Sequence, residues 1–245
     1  MLPFLLKHKK FLSGILVIAA IFNLDRLYYS RPTTPKQLIK TSVMILNSAE
    51  TAGGSGVIFK SSSSGSEILT NAHVCGLLDN GGSVITSDKK LKVRKFVKSK
   101  MHDLCMVEVE GDLGINIKVA ASALEVGDRI RVVGHPALLP VIVQEGIVSR
   151  KMEINVNMCH KNDKKKCAEV KKFMSQLTSA LILPGSSGSP VFNESGELAG
   201  VVFAGEGELS FSFIVPQQYV EGFVHSEIEA LKWKTPVWNS NTKIL

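Results

Sequence analysis

The amino-acid sequence lacks several patterns that would place the chain in a particular class of protein. Its four cysteines include no C-x-x-C pair, which disfavours a structural zinc site, and we expect no metal or other cofactor. No internal repeat at a solenoid period is present, and strand patterns do not alternate with helical ones as in a parallel sheet. With 44% hydrophobic and 21% charged residues, the 245-residue chain is typical of a globular protein with a full core.

The body of the chain lacks a large net positive charge, although the formal net charge of the whole is +7. Residues 1–40 carry seven of the 29 Lys and Arg residues but only one of the 22 acidic residues, Asp25, so the remainder is nearly neutral. Nucleic-acid binding is therefore not expected. Two basic runs remain, at 89–100 and 161–172, and we interpret both as solvated loops or edge strands.

An apolar run near the N-terminus, FLSGILVIAAIF at 11–22, follows the basic segment KHKK at 7–10. This layout is typical of a secretory signal or a signal anchor. No small-residue cleavage site follows the run, so we expect an uncleaved membrane anchor helix over 1–24 and a polar linker over 25–40. The body would then be exported to a periplasmic or extracellular location, and it would be secreted if the segment is cleaved.

Short apolar runs rich in Val and Ile recur from residue 41 onward, and Gly, Asn, Asp or Pro bound most of them. Examples are SVMIL at 42–46, INIKVA at 115–120 and LAGVVFAG at 198–205. So many short strands predict an all-β sandwich or a pair of barrels. After Pro216, apolar residues follow helical spacing and predict a C-terminal helix. We expect one domain over 41–232 and a frayed tail over 233–245.

Three residues in separate segments could form a catalytic group. His73 follows a strand-like run in ILTNAHVC, Asp103 precedes another in HDLCMVEV, and Ser187 lies in the turn PGSSGSP. Nucleophilic serine catalysis needs a base, an acid that orients the base, and backbone N–H groups aimed at the developing oxyanion. Gly185 and Gly188 frame Ser187 and let the chain turn around its hydroxyl. The G-x-S-x-G elbow fails here, because residue 189 is serine.

With these motifs in this order, the chain resembles a trypsin-like serine protease of the chymotrypsin-like fold. It is most similar to the protease domains of the HtrA (DegP-like) group over about residues 42–224. The likeness includes GSGVIF at 54–59, LTNAHV at 69–74, VGDRIRVVGHP at 126–136, EGIVS at 145–149 and PGSSGSPVFNESGELAGVVFA at 184–204. The resemblance implies two perpendicular six-stranded antiparallel β-barrels, with the active site in the cleft between them.

The resemblance also implies a role for each candidate residue. His73 would be the general base, Asp103 the acid that orients it and Ser187 the nucleophile. The N–H groups of Gly185 and Ser187 would form the oxyanion hole. The family implies a specificity pocket as well, with its floor at Leu181, six residues before the nucleophile, and one wall at Phe203, Ala204 and Gly205. None of these is acidic, so we expect cleavage after an apolar or small residue rather than after Lys or Arg.

The chain departs from the family pattern in three places. The family usually has G-N-S-G-G-P, where this chain has Ser186 and Ser189 in place of Asn and the second Gly. An Asp before the nucleophile, which digestive trypsins use to lock the activated state, is also absent, so activation by a freed N-terminus is not expected. No PDZ domain is expected after the barrels. His102 and His135 are expected to have no catalytic role, the first because adjacent strand residues face opposite ways and the second because it belongs to a turn.

The four cysteines suit an exported protein, because an even number permits two disulfides, with three possible pairings. Cys159 and Cys167 flank a lysine-rich polar stretch that a disulfide could close into a hairpin loop. Cys75 and Cys105 each lie two residues beyond a member of the candidate triad. They could pair across the site or stay as free buried thiols.

The expected function is therefore that of a serine endopeptidase, which hydrolyses peptide bonds in protein substrates through an acyl-enzyme intermediate. Two alternatives remain open. The fold could serve as a binding module without catalysis, although the intact triad argues against this. The chain could also be a membrane-tethered scaffold whose lysine-rich runs bind anionic lipid or nucleic acid. Strongly salt-dependent binding that survives Ser187→Ala would support that alternative.

Overall fold

The computed structural model describes residues 34–78, 81–99, 101–156, 171–180, 182–206 and 211–233. The predicted anchor over 1–24, most of the linker, Leu181, Cys159 and Cys167 lie outside these residues. So does all but the first residue of the predicted tail. None of the helices in the described part is long and apolar enough to cross a membrane.

Six antiparallel strands form a first closed barrel, in the order β1-β2-β3-β6-β5-β4. A short helix, α1 (Pro35–Thr41), precedes them, and a second one, α2 (Ala72–Cys75), follows β3. The strands are β1 (Ser42–Asn47), β2 (Gly53–Ser62), β3 (Gly65–Thr70), β4 (Gly82–Ile85), β5 (Lys90–Lys98) and β6 (Cys105–Val109). The lysine-rich run at 89–100 is thus not an edge strand, because β5 pairs with β4 on one side and β6 on the other.

Six further antiparallel strands form a second closed barrel, in the order β10-β11-β12-β9-β8-β7. They are β7 (Arg129–Gly134), β8 (Ile142–Val156), β9 (Lys171–Thr178), β10 (Pro190–Phe192), β11 (Leu198–Glu206) and β12 (Phe211–Pro216). The predicted C-terminal helix is present as α3 (Gln217–Trp233) and begins directly after Pro216. The two barrels confirm the predicted all-β architecture. The apolar run at 115–120 does not form a strand, and its Val119 makes only an isolated bridge to Leu198.

The apolar residues divide into three clusters, one inside each barrel and one between them. Strand β6 shows how the alternation works: Val107 packs inside the first barrel, whereas Met106 packs between the barrels. In β11, Val202 packs inside the second barrel, whereas Val201 packs between the barrels. Side chains of a strand point alternately to its two faces, so these two strands each contribute to two cores. Phe192 is fully buried between the barrels, and its truncation to Ala would cost about 3–5 kcal/mol.

Candidate active site

His73 lies in the short helix α2, which begins directly after β3 ends. Asn71 precedes that helix in an extended conformation, and its carbonyl accepts a hydrogen bond from the Cys75 N–H at 3.1 Å. The neighbours Ala72 and Val74 are buried, whereas 48% of the His73 side chain is exposed. The turn therefore anchors itself through its apolar residues and presents the imidazole to solvent.

Asp103 is buried beside His73, two residues before β6. Its Oδ2 accepts a hydrogen bond from His73 Nδ1–H at 2.6 Å, and its Oδ1 accepts one from the His73 backbone N–H at 3.0 Å. The Asn71 side-chain amide donates to the Asp103 carbonyl at 2.8 Å, which holds the two segments together. With the Nδ1 proton directed at the carboxylate, Nε2 is left with a lone pair that can accept a proton.

A disulfide joins Cys75 to Cys105 across 30 residues of sequence. Cys75 lies two residues after His73, and Cys105 lies two residues after Asp103. The disulfide therefore links the two segments covalently next to the His73–Asp103 pair. Both cysteines are fully buried in the core of the first barrel. Of the two possibilities that the sequence left open for this pair, the structure shows the disulfide.

The three serines of PGSSGSP occupy different environments. Ser189 is fully buried, and Ser186 is 3% exposed and accepts a hydrogen bond from the Leu183 N–H at 3.2 Å. Ser187 is partly exposed. It is therefore the serine of this turn that is accessible from solvent.

Two N–H groups of the backbone around Ser187 have no acceptor among the described residues. Within the described residues, the N–H groups of Ser186, Gly188 and Ser189 donate hydrogen bonds, whereas those of Gly185 and Ser187 do not. The carbonyl preceding Gly185 accepts from Ala137 N–H at 2.6 Å, and the carbonyl preceding Ser187 accepts from Ser189 N–H at 3.0 Å. In a trans peptide the N–H points away from the carbonyl, so these bonds set the direction of both free N–H groups.

Gly185 has to be glycine for this conformation. Its φ is +96°, and a Cβ at this position would lie 2.6 Å from the His135 carbonyl oxygen and 3.1 Å from the Ala137 nitrogen. Both of those atoms are backbone and cannot rotate away. Any side chain here would therefore shift the loop that carries Ser187.

The Ser187 loop of the second barrel packs against β2 of the first. The Ser187 carbonyl accepts a hydrogen bond from the Ser55 N–H at 2.7 Å. A Cβ on the adjacent Gly54 would lie 2.8 Å from that carbonyl oxygen and 2.7 Å from Val74, the residue after His73. Ser187 and Val74 therefore have Gly54 as a common neighbour on β2. The described contacts include no Ser187–His73 hydrogen bond, and such bonds are often long without substrate.

The residues predicted for the specificity pocket are only partly described. Phe203 is 8% exposed and packs against Phe213, with ring centroids 6.2 Å apart. Gly205 is exposed, and a Cβ there would lie 2.4 Å from the Ile182 side chain, so Ile182 approaches this wall closely. The sequence reasoning did not name Ile182, although it follows Leu181 directly.

The two histidines for which no catalytic role is expected, His102 and His135, both pack against neighbouring groups. His102 stacks on Tyr219 of α3, with ring centroids 4.2 Å apart. His135 is 7% exposed, and its Nδ1–H donates to the Leu139 carbonyl at 3.0 Å. Burial lowers the pKa of His135 below its ordinary value of 6.5, an effect that the hydrogen bond to Leu139 partly offsets. His135 is thus more than a turn residue, because it supports the segment that contacts Gly185.

Comparison with known proteins places the chain in a family. The family profile described as a trypsin-like peptidase domain matches residues 54–201, which include His73, Asp103 and Ser187. The chain belongs to the trypsin-like peptidase family. The match covers more than half of its length and runs from β2 to the middle of β11.

Curated relatives agree with this assignment. The chain is 33% identical over 156 residues to a protein named "Serine protease HtrA-like" from Staphylococcus aureus strain USA300. A protein of the same name from strain bovine RF122 / ET3-1 is equally similar. The alignment covers 62% of this chain and 20% of each relative, so the chain spans about a fifth of the length of the curated relatives it matches.

Solved structures share the fold. The active form of the Rv3671c protease from M. tuberculosis superposes with a TM-score of 0.66 at 20% identity, over 78% of this chain and 82% of that one. A serine endoprotease from Yersinia pestis gives a TM-score of 0.61 at 22% identity, over 82% of this chain and 68% of that one. At these identities the likeness concerns the double-barrel architecture alone.

Proposed function

We propose that the chain is a serine endopeptidase whose nucleophile is Ser187. His73 Nε2 takes the hydroxyl proton as Ser187 Oγ attacks the carbonyl carbon of the scissile peptide bond. Asp103 holds the imidazole in the required tautomer and stabilises the imidazolium that forms. The N–H groups of Gly185 and Ser187 receive the developing oxyanion. His73 then passes the proton to the leaving amine, and water hydrolyses the resulting acyl-enzyme by the same steps.

One observation carries this proposal: the buried Asp103 carboxylate accepts the Nδ1 proton of a half-exposed histidine. A surface histidine needs no buried carboxylate, whereas a general base of this kind needs an acceptor that orients Nδ1–H and an Nε2 that is free to take up a proton. The N–H groups of Gly185 and Ser187 support the same reaction. Donors to an oxyanion must have no hydrogen-bond acceptor within the protein, and these two have none among the described residues.

We propose further that the pocket accepts an apolar or small residue on the amino side of the cut. The described residues that support this are Ile182, Phe203, Ala204 and Gly205, none of which carries a charge. A pocket for Lys or Arg would need a carboxylate to pair with the buried cation. A peptide library with every residue at that position tests the preference directly.

An exported, membrane-anchored location is also part of the proposal. The basic segment and apolar run at the N-terminus support an anchor. The Cys75–Cys105 disulfide supports an oxidising compartment, because disulfides of this kind are rare in the cytosol. Cell fractionation followed by alkaline carbonate extraction would distinguish an anchored chain from a secreted one.

The decisive experiment is labelling of the full chain with a fluorophosphonate, which reacts with activated serines. We expect labelling of the wild type, none of Ser187→Ala, and little of His73→Ala. Ser186→Ala is a suitable control, because it removes a buried hydroxyl from the same turn and should leave labelling at Ser187 in place. A folded wild-type sample that remains unlabelled would refute the proposal and favour a binding module.

A further inference from the structure

Ser55 makes the direct hydrogen bonds between the first barrel and the Ser187 loop. Among the described residues, no other residue of the first barrel bonds to a group of 184–190. Its hydroxyl donates to the Gly185 carbonyl at 2.8 Å, and its backbone N–H donates to the Ser187 carbonyl at 2.7 Å. It lies in β2 and is fully buried. One residue therefore holds two alternate carbonyls of the loop.

All the polar groups of Ser55 are used in this arrangement. Its hydroxyl oxygen also accepts the His135 backbone N–H at 2.8 Å, and its carbonyl accepts the Thr70 hydroxyl at 2.6 Å. Thr70 ends β3, three residues before His73. Ser55 is thus hydrogen-bonded both to β3, which leads to the candidate base, and to the loop that carries the candidate nucleophile.

The carbonyls of the loop alternate in where they are held. Those of Pro184 and Ser186 accept hydrogen bonds from within the second barrel, and those of Gly185 and Ser187 accept them from Ser55. The Gly185 residue lies between two fixed peptide planes as a result. Loss of the Ser55 hydroxyl would release the Gly185–Ser186 peptide plane, which connects the plane of the Gly185 N–H to that of the Ser187 N–H, so the two N–H groups could shift relative to each other.

We propose that Ser55 is a positioning residue, whose hydroxyl sets the oxyanion-binding N–H groups in register with the His73–Asp103 pair. This rests on the proposed peptidase function and assigns to that site a residue that touches neither substrate nor the reacting atoms. Its loss should weaken stabilisation of the oxyanion, which exists only after attack, and should leave substrate binding nearly unchanged.

The test compares Ser55→Ala with Ser66→Ala in the full chain. Ser66 is also fully buried in the first barrel, and its hydroxyl likewise bridges a carbonyl and an amide, those of Gly111 and Leu113 at 2.8 and 3.1 Å. It lies at the opposite end of β3 from the turn that carries His73. Ser66→Ala therefore reproduces the structural cost of the substitution without touching the loop.

With fluorescein-labelled casein as substrate, we expect kcat of Ser55→Ala to fall roughly tenfold to hundredfold while KM changes less than about twofold. The pH profile of kcat should keep its wild-type shape, because the base is untouched. Ser66→Ala should keep wild-type kcat although it unfolds at a lower temperature. Equal kcat values for Ser55→Ala and Ser66→Ala, or a loss that lies mainly in KM, would overturn the proposal.

If Ser55→Ala does not fold, the Ser55→Thr and Ser55→Val pair decides. The two side chains have the same shape and differ by the hydroxyl, so any strain from the extra methyl group is common to both. We expect Thr to retain most of kcat and Val to lose it. Equal kcat of the pair would refute a role of the hydroxyl in catalysis. Failure of both hydroxyl-free variants to fold while Thr folds would assign the hydroxyl to stability instead. A wild type without labelling or turnover would refute the peptidase function itself.

Discussion

The two barrels hold their parts of the candidate site by different means. In the first barrel, the turn of His73 and the segment of Asp103 are joined by a disulfide, by side-chain hydrogen bonds and by buried apolar neighbours. In the second, the described part of the Ser187 loop is held by backbone hydrogen bonds and by Ser55 of the other barrel. The acid–base pair is therefore built within one barrel, whereas the nucleophile loop depends on how the barrels meet.

Because of this difference, a substitution should displace the catalytic groups less easily in the first barrel than in the Ser187 loop. A substitution in the first barrel has to break a covalent link or a buried pair before the base moves. A substitution in the loop has only to tilt one peptide plane before an oxyanion donor is misdirected. Serine peptidases lose about a hundredfold or more in kcat when one such donor is removed.

Glycine substitutions should give the largest contrast. Gly185→Ala would place a Cβ 2.6 Å from the His135 carbonyl at a φ of +96°, so we expect at least about a hundredfold loss of kcat. Gly76→Ala, three residues after His73, has a φ of −64° and only Lys98 Nζ near its Cβ, at 3.8 Å. It should change kcat less than about twofold. Casein hydrolysis by both variants checks the prediction, and equal losses would contradict it.

Removal of the Cys75–Cys105 disulfide should have the next largest effect, on stability. Cys75→Ala with Cys105→Ala releases a 30-residue connection, and we expect a loss of about 2–4 kcal/mol in unfolding free energy. Urea denaturation with and without dithiothreitol measures the effect. A Cys159→Ala, Cys167→Ala variant is the control, because it leaves Cys75 and Cys105 as its only cysteines. No response of that control to dithiothreitol would show that the bond contributes nothing.

His135 should make the support of the loop sensitive to acid. Burial lowers its folded-state pKa, so the unfolded chain takes up the proton first as the pH falls below about 6.5. Stability from His135 is therefore complete above that pH and is lost on acidification, by at most about 1.4 kcal/mol per pH unit. Urea denaturation at pH 7.5 and 5.5 measures this. A wild-type decline as shallow as that of His135→Gln would contradict the prediction.

Glu67 in β3 should affect the pH dependence of the unfolding free energy in the opposite direction to His135, and more weakly. Burial raises the pKa of its carboxyl, the nearby Glu108 adds to this, and Lys60 and Lys95 oppose it. The ionised form therefore costs stability above the folded-state pKa, and the cost disappears on acidification. Glu67→Gln should raise the unfolding free energy at pH 7 by roughly 0.5 kcal/mol, since the residue is only half-buried. The gain should vanish near pH 4, and a gain that is independent of pH would contradict this origin.

The sequence predicted the double barrel, the C-terminal helix and the segments of the candidate site. It was less informative about secondary structure in two segments, the run at 115–120 and the lysine-rich β5. The run at 115–120 has strand-like composition, but it crosses between the barrels and forms only isolated bridges. Strand β5 was obscured by its lysines, which are tolerated because its outward face meets solvent and Glu108.

Ser55 and His135 illustrate why part of the site was not predicted. Each lies more than 45 residues from Ser187 along the chain, and neither carries a motif that specifies its partners. A serine between two glycines in GSGVIF was visible as part of the family pattern, but its contact with Gly185 was not. Hydrogen bonds between distant segments depend on tertiary packing and leave no periodic signal in the sequence.

The amino-acid sequence alone determined which faces of the strands are apolar, the order of His73, Asp103 and Ser187, and the glycine that permits a positive φ at 185. These are local properties, set by side-chain alternation and backbone sterics. The tertiary structure decided that Asp103 lies 2.6 Å from His73, that Ser186 and Ser189 are buried while Ser187 is not, and that Ser55 joins the two halves. Those outcomes require residues far apart in the chain to meet. The pairing of β3 with β6 in the first barrel achieves this for His73 and Asp103, and the packing of one barrel against the other achieves it for Ser55 and the Ser187 loop.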